Sequence, residues 1–159
     1  MSGKLQVTWY GHAMFALTDS LTVVCDPVPP DVGYRYHPVP ADVVLLSHDH
    51  FDHVYLEGVS GDPKVLRTAG ASPAGNLTIN GFNTFHDSSG GRERGGNLIF
   101  TWEQEGFRIA HLGDLGAVPG GDVMASLSGL DIAMVPVGGV YTLDGPAAAG
   151  LVRELSPRV

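Results

Sequence analysis

Ser47-His48-Asp49-His50-Phe51-Asp52-His53 brings three histidines and two aspartates together in seven consecutive residues. The run Asp42–Leu46 before it is apolar and β-branched, the pattern of a strand buried on both faces. In extended backbone, residues two apart project to the same side, so His48 and His50 share a face. Asp52 and His53 lie beyond a turn and reach a second point nearby. Imidazole and carboxylate donors suit zinc, iron or manganese, and two such ions about 3.5–4 Å apart can polarise one water between them. A solvated polar turn is the bland alternative. The density of the cluster, in a chain with only seven histidines, argues against it.

Outward from this cluster the chain reads as short strands. Leu5–Trp9 alternates, with Leu5, Val7 and Trp9 on one face, and Ala13–Leu17 and Leu21–Cys25 follow across turns. Asp26-Pro27 opens a proline-rich loop that runs to Pro40. Beyond the cluster, Lys64–Arg67 is a strand, and Leu77–Phe85 is one or two strands according to how Gly81 acts. Asp87–Gly96 is a polar, glycine-rich loop. Asn97–Glu103 and Phe107–Leu112 form a hairpin, and Asp131–Pro136 is a second buried strand. Asp122–Leu127 and Gly145–Leu155 read as helices, the latter with Pro146 in its first turn and Arg153 near its end. Strands first and strand–helix alternation later imply a layered α/β sandwich.

The composition sets limits. The 159 residues suit one domain, and 43% hydrophobic content supports a core. With 22 glycines and 11 prolines, turns outnumber what a helical bundle tolerates. Nine basic against seventeen acidic residues, a net charge of −8, argue against a broad nucleic-acid surface, although bound metal would alter the local field. The single cysteine, Cys25, excludes an intrachain disulfide and reads as a small core residue. Met1–Val7 has no apolar stretch of signal length, and no run reaches the roughly 20 apolar residues of a membrane span, so a soluble cytoplasmic protein without membrane partners is the expectation.

The His-x-His-x-Asp-His pattern after an apolar strand resembles the metallo-β-lactamase fold superfamily. Trp9-Tyr10-Gly11-His12-Ala13, Ala110-His111-Leu112-Gly113-Asp114-Leu115-Gly116 and Val135-Pro136-Val137-Gly138-Gly139-Val140-Tyr141-Thr142 resemble its ascorbate-6-phosphate lactonase branch and, more distantly, the N-acyl-phosphatidylethanolamine phospholipase D type. The resemblance implies a four-layer αββα sandwich and a centre for two divalent ions, zinc first, manganese or iron otherwise. His48, His50 and His86 would hold one ion, Asp52 and His53 the other, and Asp114 would bridge them. The family pattern adds a last histidine after a strand that follows the final helix. No histidine follows His111 here, so the expectation is a single domain over residues 1–159 without that final strand, and a weakened second site.

The implied activity is hydrolysis of a lactone, ester or phosphoester of a small molecule by a metal-bound hydroxide, with Asp52, Asp114 and His12 in catalytic roles. His12 reads either as a substrate- or ligand-contacting group or as a turn residue. His111 falls on the Phe107, Ile109, His111 alternation and reads as a satisfied core histidine. Asp26 and Asp49 are candidates to orient ligand histidines through their other ring nitrogen. Arg92 and Arg94 could recognise a phosphate or carboxylate, or belong to a solvated loop. Tyr141 lines the pocket or packs in the core, and His37 reads as exposed. A non-catalytic metal-binding or sensing protein of the same fold, and a metal-dependent nuclease or phosphodiesterase, are the rival functions; a homo-oligomer is left open.

Overall fold

The computed structural model describes residues 4–159; Met1–Gly3, part of the N-terminal stretch read above for a signal, lie outside the described residues. The strands are β1 (Gln6–Gly11), β2 (Met14–Thr18), β3 (Thr22–Cys25), β4 (Val39–Pro40), β5 (Val43–Leu45), β6 (Val59–Ser60), β7 (Lys64–Leu66), β8 (Gly70–Ala74), β9 (Leu77–Phe85), β10 (Gly96–Gln104) and β11 (Phe107–His111). Helix α1 (Gly121–Ser126), strand β12 (Ile132–Met134) and helix α2 (Gly145–Leu155) complete the order. No described helix is long and apolar enough to cross a membrane.

Two five-stranded sheets face each other, ordered β1-β2-β3-β5-β7 and β12-β11-β10-β9-β8. Alternation along the strands builds the layers. Val23, Cys25, Val43 and Leu45 point into the space between the sheets, against Leu98, Phe100, Trp102 and Ile109. Their neighbours Val24, Val44 and Leu46 point outward, where they pack with Met14, Val28 and Val39. This is why the run before the histidines is continuously apolar: β5 is central and buried on both faces. On the other sheet, Ile99, Ala110 and Leu112 face Ala148, Leu151 and Leu155 of α2 and Leu127 after α1. The outer layer over the first sheet is made of loops, two 3-10 turns at Pro30–Val32 and Leu56–Gly58, and the small β4–β6 ladder. The sandwich therefore has the expected four layers, one of them nearly helix-free.

Helix α2 has the bounds read from the sequence. The Asp144 side chain accepts the Ala147 amide at 2.8 Å, Pro146 sits in the first turn, and Ser156 closes the helix in the left-handed region. Arg158 and Val159 lie along β12: the Ala133 amide donates to the Val159 carbonyl at 2.9 Å.

Three details differ from the sequence reading. β8 was not foreseen, because Pro73 interrupts it. It is an edge strand, where a missing N–H leaves no gap in the ladder. β9 runs unbroken through Gly81, where a Cβ would come within 2.6 Å of the Thr68 carbonyl, so this glycine allows close approach and does not end the strand. The β1 face carrying Val7 and Trp9 is not core. β1 is an edge strand, and these residues are 43% and 61% exposed. Cys25 is a buried core residue as expected, its thiol pushed up by burial.

The loop between β9 and β10 is built around one carboxylate. Asp87 Oδ1 accepts the amides of Ser89 and Gly91, each at 2.8 Å, and Oδ2 accepts those of Glu93 and Arg94 at 3.1 and 2.8 Å. Burial opposes the charge, but the four amides outweigh it and hold the Asp87 carboxyl at about 2. A depressed carboxyl stabilises the fold above its unfolded pKa of about 3.9 and ceases to do so as pH falls through its folded value. Asp87→Asn is therefore expected to lower Tm at pH 7 and to remove the part of the acid destabilisation that falls between about pH 4 and 2. Thermal melts of both proteins across that window check this, and superimposable profiles would refute it.

Candidate metal centre

Every histidine except the exposed His37 gathers where the C-terminal ends of β3, β5, β9 and β11 meet. The ring centroids of His48 lie 4.5, 4.1 and 4.7 Å from those of His50, His53 and His86, and His12 is 4.7 Å from His53. One carboxylate oxygen is their common point. Asp114 Oδ2 lies 3.2 Å from His53 Nε2, 3.2 Å from His86 Nε2 and 3.8 Å from His48 Nε2. His48, His50 and His86 bring donor atoms within 4.8 Å of one another; so do His48, His53 and Asp114, and so do His12, Asp52 and His53.

The glycines around Asp114 are required by contact. A Cβ on Gly113, which has φ +57°, would lie 2.4 Å from Asn97 Oδ1 and 2.5 Å from Ser47 Cβ. One on Gly116 would lie 2.3 Å from the Asp87 nitrogen. The Asp114 segment thus lies flat against both β5's end and the His86–Asp87 backbone. Asn97 holds it there. Its Oδ1 accepts the Asp114 amide at 3.0 Å, and its Nδ2 donates to Thr84 Oγ1 and the Leu112 carbonyl. Sequence reasoning passed over Asn97. A polar residue opening an otherwise apolar strand was its only signal.

Beneath the histidines lies Asp26, fully buried with φ +42°. It accepts the Ser47 amide at 2.7 Å, the Ser47 hydroxyl at 2.6 Å and His111 Nε2 at 2.8 Å. It also lies 3.1 Å from His53 Nδ1. Burial opposes its ionisation, but His111 and His53 outweigh that and hold the Asp26 carboxyl far below the carboxylate range. The Ser47 hydroxyl gives its proton to Asp26, so at 2.8 Å it can only accept from His48 Nδ1–H. His48 Nε2 is then bare. Burial, helped by the charge of His53, pushes the His48 pKa down to about 3, so the ring is neutral.

His53 behaves oppositely. Burial disfavours its charge, yet Asp114 and Asp26 together raise its pKa to about 10. Its nitrogens are within 3.2 Å of both carboxylates but off the line of hydrogen bonds, so these contacts are charge contacts. Asp114 likewise raises the pKa of His86 against the effect of burial. Nε2 of His48 and of His53, both turned toward Asp114, are buried without hydrogen-bond partners, which is rare unless something else is meant to meet them. Imidazole and carboxylate groups converging on one point form a donor set that fits divalent ions of the zinc, manganese or iron type.

The expected residues are therefore together, with His12 in their company. His12 Nε2 lies 3.0 Å from Asp52 Oδ2, both partly open to solvent, and Trp9 Nε1 donates to the His12 carbonyl at 2.9 Å. Asp49 does not orient a histidine. It is 85% exposed and pairs with Arg67 at 3.3 Å, because the extended backbone turns it away from His48 and His50. The centre floors a pocket of about 950 Å³ with Trp9, Tyr34, Phe51, Val137 and Tyr141 in its walls.

The model of the beta-lactamase superfamily domain matches residues 6–159. A "UPF0173 metal-dependent hydrolase" from Methanoculleus marisnigri is 29% identical, covering 91% of this chain and 73% of that protein. One of the same name from Nitratidesulfovibrio vulgaris is 30% identical, covering 96% and 76%. The structure of a Thermotoga maritima protein, described as a Zn-dependent hydrolase of the metallo-beta-lactamase superfamily, aligns with a TM-score of 0.80 at 35% identity, covering 97% of this chain and 72% of that one. A structure from Parabacteroides distasonis at 23% identity, TM-score 0.78, shares the fold. Matched by the family model from Gln6 to Val159, with that fold and those relatives, this chain belongs to the beta-lactamase superfamily domain family.

Proposed function

We propose that the chain is a metal-dependent hydrolase of small-molecule esters, lactones or phosphoesters. The observation that carries this reading is the convergence of His48, His53 and His86 on Asp114 Oδ2, with His86 and Asp114 lining a pocket of about 950 Å³. His48, His50 and His86 would hold one divalent ion, and Asp52 and His53 the other, with Asp114 between them. The names of the relatives, and the likeness of Trp9–Ala13 to the lactonase-like branch, support this class of chemistry. Ions so held supply Lewis acidity toward a carbonyl or phosphoryl oxygen and lower the pKa of water toward about 7.

The chain's own groups divide the remaining work. Ser47 and Asp26 fix His48 with its proton on Nδ1 and its Nε2 toward Asp114. Asp26 and Asp114 hold His53 from both sides. Asp52 Oδ2, oriented by His12 Nε2, is the carboxylate open to the pocket and can take a proton from an attacking water, with His12 as its partner for delivery to the leaving group. The second ion is the weaker, because Asp52 Oδ2 is already engaged by His12 and both groups are partly solvated.

A panel of lactones, aryl esters and phosphodiesters assayed with Zn²⁺ or Mn²⁺ tests the reading. We expect turnover by the wild type, and loss of both turnover and zinc content in His48→Ala. Metal bound without turnover of any panel member would favour a non-catalytic metal-binding protein. Cleavage confined to single- or double-stranded nucleic acid would favour a nuclease. Asp26→Asn keeps the shape of the side chain and removes the anion behind His53 and Ser47. Its zinc affinity, measured by chelator competition, is expected to fall about 10–100-fold. An unchanged affinity would show that the buried carboxylate does not support the centre.

A further inference from the structure

Besides histidines, the pocket has one basic side chain in its walls, Arg94. Its guanidinium carbon lies 3.4 Å from the centroid of the Tyr141 ring. Its backbone amide is pinned by Asp87 at 2.8 Å, directly after the candidate ligand His86. The side chain is thus held at both ends, stacked on an aromatic face at the pocket wall.

The carboxylates near it are all engaged elsewhere. Asp87 is filled by four amides, Glu93 accepts the Ser89 hydroxyl, and Asp144 caps α2. Among the described residues, the arginine ion pairs are Arg67–Asp49 and Arg158–Asp131, and Arg94 takes part in none. A guanidinium stacked on an aromatic ring at a pocket wall, and in no ion pair, is free to recognise an anion. The pocket lining also holds exposed apolar side chains, Trp9 at 61% and Phe51 at 72% exposure. An apolar surface beside a reactive centre fits a bulky hydrophobic substrate part.

We propose that the substrate is an amphipathic anion: an oxyanion, carboxylate or phosphate, seated on Arg94, and an apolar body lying against Trp9 and Phe51, with the scissile bond over the histidines. This rests on the hydrolase reading for the bond that is cleaved, but not for the binding of the anion. Arg92, four-square on the same loop in sequence terms, does not line the pocket.

The test uses the full chain supplied with Zn²⁺, as wild type, Arg94→Ala and Arg94→Lys. Calorimetry measures the binding of phenylphosphonate, 3-phenylpropionate and the neutral 3-phenylpropanol. Arg94→Ala is expected to weaken at least one anion about 10–100-fold relative to the alcohol, the range for a hydrogen bond to a charged group. Arg94→Lys is expected to restore part of that loss. A loss confined to the phosphonate identifies a phosphate-bearing substrate, and one confined to the propionate a carboxylate-bearing one. Equal changes for the three ligands, or no anion binding by the wild type, overturn the proposal. In parallel, the ratio of kcat/KM for monophenyl succinate to that for phenyl acetate is expected to fall in Arg94→Ala. If neither ester is cleaved by any of the proteins, the hydrolase reading fails for this chemistry while calorimetry still decides the role of Arg94.

Discussion

The buried carboxylate of Asp26 is the constraint on which the site depends. It sits at the end of β3 and binds groups from three other places: Ser47 after β5, His53 beyond the turn, and His111 at the end of β11. Those places belong to both sheets. An ionised group with no exposure is tolerated only when its partners replace water, and here two histidines, a hydroxyl and an amide do so. The same contacts set the register of the two sheets at the end that carries the chemistry. Backbone strain accompanies this. Asp26 and His12 both adopt positive φ, a conformation that costs about 1–3 kcal/mol for a residue other than glycine and that persists where the surroundings fix it.

Asp114 is the counterpart on the open side of the histidines. Its position depends on backbone contact more than on charge. Gly113 lies against Ser47 and Asn97, and Gly116 against the His86–Asp87 peptide, so the segment cannot move away without parting from both neighbours. His86 is fixed by the same packing and by the Asp87 loop that follows it. Two carboxylates, one sealed and one at the pocket floor, thus clamp His53 between them and leave His48 neutral beside it.

Much of this was legible in the sequence, for identifiable reasons. The apolar run before Ser47 specified a central strand because both its faces are buried, and the spacing of His48 and His50 specified a shared face. Asp144, Pro146 and the apolar spacing of Ala148, Leu151 and Leu155 specified α2. Where the reading failed, local pattern was overruled by position. Pro73 is compatible with a strand only because β8 is an edge, and Trp9 alternates like a core residue although its strand borders the pocket. The roles of Asn97 and of the Ser47 relay were not legible. Their roles follow from partners distant in sequence, and a lone serine or asparagine carries no spacing signal.

The centre is asymmetric in proton mobility. On its sealed side, Ser47, His111 and His48 hold their protons in fixed directions around the ionised Asp26, with Asp26 and His111 almost wholly shielded from solvent. On its open side, His12 and Asp52 share a contact at 3.0 Å with 30% and 26% of their side chains exposed, so protons there can exchange with water. Desolvation strengthens every charge interaction on the sealed side and would trap any proton that moved there. The groups of the centre that can exchange protons with solvent are therefore those of the His12–Asp52 face. His12, Asp52, Trp9 and Arg94 line the same pocket, so the solvent-exchanging groups, an exposed aromatic side chain and an unpaired guanidinium share one cavity above the sealed carboxylate.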